Sequence, residues 1–135
     1  MKQLNIHGQS TMNFENQILH SKVTGSTNKE LSIVWFEDMK RCVLSSTYGD
    51  REPWVTLTDA RGWEMASPDI EEVTNTTIEW ATNHNCLLFG ILLSKNIQKF
   101  AMEKEFGEHS IVRFFFSADE AKQACLDILN GAKSK

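Results

Sequence analysis

Apolar positions along this chain follow two alternating periods. Short runs rich in β-branched and aromatic residues are followed by stretches whose apolar residues recur every three or four positions, and the pair repeats between Ile18 and Leu129. Strands that alternate with helices predict an α/β domain with a mainly parallel sheet of four or five strands and helices packed on it, in β-α-β-α-β-α-β-α order.

Two extended segments open the chain, about Leu4 to Gly8 and Phe14 to Thr24, the first suited to an antiparallel pairing at an edge. Gly25-Ser26-Thr27-Asn28 then breaks the chain ahead of a helix over Lys29 to Ser45. There Leu31, Val34, Trp35, Met39, Cys42 and Val43 form an apolar stripe that Ile33 and Phe36 widen. That breadth predicts the most buried helix of the four, or aromatic residues left over for a homodimer face. Trp54 to Thr58 reads as a strand by its β-branched content. The next helix starts at Ser67-Pro68-Asp69, with Ser67 as cap, and turns Ile70, Val73, Thr77, Trp80, Ala81 and His84 inward.

Cys86 to Leu93 is apolar without interruption, the pattern of a strand covered on both faces. A short helix from Lys95 to about Glu105 presents Ile97, Phe100 and Ala101, and Phe106-Gly107 closes it. Ile111 to Phe116 is the last strand. Ser117-Ala118-Asp119-Glu120 forms a capping box for a final helix whose core face carries Ala121, Ala124, Cys125, Ile128 and Leu129.

Composition narrows the class. The 135 residues suit one domain with a core from about 14 to 129, and 41% apolar with 24% charged residues indicates an ordered globular chain. Net charge is −4 and the cations are scattered, which argues against nucleic acid as partner. Met1 to Ser10 lacks the apolar centre of a signal peptide, and the longest apolar run is far too short to span a membrane. Cys42, Cys86 and Cys125 stand among apolar neighbours without a Cys-x-x-Cys motif, so reduced core thiols in a cytoplasmic protein are expected.

Catalytic patterns are missing from the chain. Gly62 and Gly90 are isolated, so no glycine-rich loop cradles a phosphate. The four histidines show no metal-ligand spacing, and neither Ser67 nor Ser94 lies in a glycine-flanked nucleophile elbow. A non-enzymatic chain without metal or cofactor is the expectation. The strongest candidate site is the segment Asp59 to Pro68, read as a loop at the C-terminal end of a strand, where open α/β sheets usually place their contacts. It brings together Asp59, Arg61, Trp63, Glu64 and Ser67, with Arg61 and Trp63 free to face solvent and a partner. The same residues also admit a purely structural reading, in which Asp59 accepts loop amides, Trp63 covers the sheet edge and Ser67 caps its helix. Arg113, a lone cation in an apolar strand, is either an edge residue on a wet face or an anion contact.

With these elements the chain resembles the SpoIIAA-like proteins of the STAS-like fold. The likeness rests on Ile18 to Gly25, Trp54 to Gly62, Cys86 to Leu93, Ile111 to Phe116 and the helix opened by Ser117-Ala118-Asp119-Glu120-Ala121. It implies a bacterial cytoplasmic regulatory module that binds a protein. It also implies a possible phosphosite, since relatives carry Asp-Ser-Ser-Gly at a helix start; this chain lacks that motif and has only Ser67 at a comparable place. Lipid-transfer domains of the CRAL-TRIO type share the fold, which gives a second expectation: a carrier of a small apolar or anionic ligand between helices and sheet, lined by Phe100, Met102, Phe106 and Arg113.

Overall fold

The computed structural model describes residues 8–66, 68–106 and 109–133. Strands β1 (Gly8–Glu15) and β2 (Ile18–Thr27) form an antiparallel hairpin in which Glu15 faces Ile18. Asn16 and Gln17 between them both have positive φ, 54° and 64°, as a two-residue hairpin turn with the twist of its strands demands. Asparagine tolerates that conformation. Gln17 is held in it by its own side chain, whose Nε2 donates to the carbonyls of Gly49, Glu52 and Pro53. The expected strand from Phe14 to Thr24 is therefore two strands, with Phe14 in the first, and the expected segment Leu4 to Gly8 lies outside the described residues except for Gly8.

The chain continues through α1 (Lys29–Leu44), β3 (Trp54–Ala66), α2 (Glu71–Asn83), β4 (Cys86–Leu92), α3 (Asn96–Phe106), β5 (Val112–Phe115) and α4 (Ala118–Lys133). Spatial order is β1-β2-β3-β4-β5, with every pair after the hairpin parallel. Crossovers of one hand that advance one strand at a time leave their helices on one face. Accordingly α1 touches α2 and α2 touches α3, while α4 lies against β3, β4 and β5 on the other face. Leu19, Met39, Trp54, Ile78, Phe89 and Ile91 fill the three-helix side; Ile18, Val55, Leu88, Cys125 and Leu129 fill the α4 side. From Leu88 onward the apolar run of β4 is used as its pattern predicts, with alternate residues buried on opposite faces, whereas Leu87 is exposed.

Three helices differ from their sequence reading, α2 in starting at Glu71 after a single 3-10 turn and in burying Thr74 and Ile78 outside its expected stripe. Helix α1 buries Leu31, Ser32, Met39 and Val43, no more than the four residues α2 buries, and leaves Ile33 and Val34 exposed. Its aromatics are covered in part, Trp35 by an edge-to-face contact with Phe89 and Phe36 by one with Trp80. Helix α3 turns Gln98 and Met102 inward and leaves Ile97 and Phe100 in solvent.

Cys86 and Cys125 are buried and Cys42 is half-buried, all three free. Burial pushes the Cys86 thiol up to about 12 and the Cys125 thiol up to about 11, so neither offers thiolate at neutral pH. Alkylation of the native protein at pH 7.5, followed by peptide mass mapping, is expected to label Cys42 first and to leave the other two unmodified until denaturant is added. Equal labelling of all three would mean that the core opens readily on both faces of the sheet.

Candidate functional site

Asp59 to Ala66 is strand, not the loop expected from sequence. Its apolar content is low, but it runs on because its backbone pairs with β2, from Lys22 opposite Asp59 to Thr27 opposite Ala66. The pairing is interrupted twice. Lys22 pairs with Asp59 and Thr24 with Gly62, and Gly25 pairs with Trp63 and Ser26 with Met65, so each time β3 spends one residue more than its neighbour. These are β-bulges, and each reverses the alternation of side chains beyond it. Ala60 faces the helices, and one extra residue then aims Trp63 at the same face instead of the opposite one.

That geometry corrects the expected site. Trp63 is 6% exposed, a core residue whose Nε1 donates to Thr27 Oγ1 at 2.9 Å, and it is not available to a partner. Arg61 is exposed and forks onto Asp59, Nε to Oδ1 at 3.0 Å and Nη2 to Oδ2 at 2.9 Å. The Arg61 hydrogen bonds hold the Asp59 carboxyl below its usual range against the opposing effect of partial burial, with Lys22 across the strand adding a little. The pair orders the outer face of the bulge. Glu64 is exposed, and Ser67 lies outside the described residues.

Beyond Asp59, β3 has no ladder partner on its β4 side. The carbonyls released there are taken by one residue that sequence reasoning missed. Gln98 Nε2 donates to the carbonyls of Trp63 at 2.8 Å, Arg61 at 3.1 Å and Ala60 at 3.4 Å. Its Oε1 accepts from the amides of Ser94 and Lys95, which are the free donors before the first turn of α3. Ser94 Oγ adds a bond to the Arg61 carbonyl. The bulged strand end and the start of α3 are thus one unit.

Under this unit lies a cavity of about 80 Å3 between α1, α2, α3 and the sheet. Met102 and Phe106 line it. Phe100 does not: it is exposed, with the Lys104 ammonium 5.0 Å from its ring centre. Nor does Arg113, which is exposed on the edge strand β5 with its guanidinium 5.0 Å from the Phe115 ring. Among the described residues no cluster of His, Cys, Asp and Glu could hold a metal ion, and no helix is long and apolar enough to cross a membrane.

No family model matches the chain, and no curated protein matches it by sequence. Solved structures do. An anti-sigma factor antagonist from Mycobacterium paratuberculosis superposes with a TM-score of 0.65 at 12% identity, over 89% of this chain and 95% of that one. A DUF3478-family protein with a SpoIIAA-like fold from Shewanella loihica gives 0.57 at 17% identity, over 93% of this chain and 99% of its own. A third structure, from Thermotoga maritima, gives 0.63 at 11% identity, over 86% of this chain and 93% of its own. Likeness at such identities is likeness of fold, and with a five-stranded, mostly parallel sheet and four helices the chain has the SpoIIAA-like, STAS-type fold that its sequence resembles.

Proposed function

We propose that this chain is a non-catalytic cytoplasmic regulatory module that binds a protein partner at the C-terminal end of its sheet. The observation that carries the reading is the pair of large apolar side chains that α3 leaves in water. A helix packed on a sheet ordinarily hides its apolar residues and exposes its polar ones. Here Gln98 is buried, while Ile97 is 74% and Phe100 66% exposed, three positions apart on one outward face. Large apolar groups held in water on a rigid element are the usual anchors of a protein interface. Arg61, tied through its carbonyl to the same helix start, supplies a charged neighbour. The anti-sigma factor antagonist among the similar folds supports a protein as the kind of partner.

A photo-crosslinking residue placed at Phe100, and separately at Tyr48, tests this in cells of the source organism. Tyr48 is also exposed but lies between α1 and β3, at the other end of the sheet. A discrete protein adduct is expected from position 100, absent from position 48 and lost when Ile97 and Arg61 are replaced by serine and alanine. Identical adducts from both positions, or none from position 100, would remove α3 as the docking element.

A further inference from the structure

We infer that the cavity beneath α3 is a binding site for a small neutral molecule, mainly apolar, that carries one hydrogen-bonding group. Its size is the first reason. About 80 Å3 is several times the roughly 10–15 Å3 that a single water needs. Its lining is the second: among the described residues no charged side chain borders it, and Trp35, Trp63, Phe89, Ile91 and Met102 dominate the wall. An ion would lie there without compensation.

The third reason fixes the polar group. Thr58 lines the cavity and is 5% exposed, and among the described residues its Oγ1 is the buried side-chain oxygen or nitrogen that lacks a hydrogen-bond partner. Of the other hydroxyls on the wall, Thr77 donates to the Val73 carbonyl at 2.7 Å and Thr27 accepts from the Trp63 indole, while Ser10, Ser32 and Thr74 complete its polar part. A hydroxyl or carbonyl on an otherwise apolar molecule would give the Thr58 hydroxyl the partner it lacks. The inference is independent of the docking surface, since Ile97, Phe100 and Arg61 do not line the cavity.

Phenol and toluene, alike in shape and differing by one hydroxyl, are the probes. Their dissociation constants are measured by titration calorimetry on the whole chain and on its Thr58→Val and Thr58→Ser variants. Saturable binding of both is expected, with the preference for phenol over toluene reduced about fivefold in Thr58→Val and restored in Thr58→Ser, the share of one hydrogen bond. Absence of saturable binding by either probe overturns the site. A preference unchanged by Thr58→Val overturns the role given to the hydroxyl.

Discussion

Gln98→Ala is expected to cost about 3 kcal/mol of stability, roughly 10 °C in Tm for a chain of this size. The estimate follows from what the carboxamide does. Three strand carbonyls and two amides before α3 depend on it, and the residue is buried. Removing one partner of a buried hydrogen bond leaves the other desolvated at about 1–3 kcal/mol each, and water reaching the truncated site recovers part of that. Gln98→Glu should fare no better, because a carboxylate would meet three carbonyl oxygens where the amide donated. Urea melts of the three proteins decide the matter. A loss below about 1 kcal/mol in Gln98→Ala would show that the bulged end of β3 is held by its pairing with β2 alone.

How far the sequence could be read depends on which force placed each residue. Elements placed by hydrophobic period were legible: β4 by its unbroken apolar run, α4 by its core face of Ala121, Cys125 and Leu129, and the α/β order itself. Elements placed by backbone pairing were not. Nothing apolar marks Arg61, Gly62 and Glu64 as strand; they are strand because β2 runs beside them. The hairpin at Asn16-Gln17 lacks the glycine that usually announces such a turn, and only Asn16 hints at it.

For the site the difference lies in face rather than in segment. Asp59 and Arg61 do meet, as an ion pair within β3. Trp63 went to the wrong side because side-chain alternation counts residues and a bulge adds one, an event decided by the neighbouring strand. In α3 a three-residue period of apolar groups cannot say whether its stripe faces the sheet. Gln98 could have been found by one signal, its position three residues after Lys95, where a glutamine reaches back to free amides at a helix start.

The same substitution made two residues apart in β3 is expected to change stability in opposite directions. Thr56 and Thr58 are both buried on the helix side of the strand. Thr56 Oγ1 donates to the Leu19 carbonyl at 3.2 Å, whereas Thr58 Oγ1 has no partner. Thr56→Val should therefore lose about 1 kcal/mol with its hydrogen bond. Thr58→Val removes a desolvated hydroxyl that gives nothing back in the free protein, and a methyl group suits the surrounding wall of Phe89, Ile91 and Trp63. A gain of about 1–2 kcal/mol follows, so the two variants should differ by roughly 2–3 kcal/mol in a denaturant melt. If Thr58→Val instead loses stability, the hydroxyl is already satisfied when the cavity is empty and has no binding capacity to spare. If it gains, Thr58 is a residue that lowers stability where an apolar one would raise it, the kind of cost that proteins carry at functional positions.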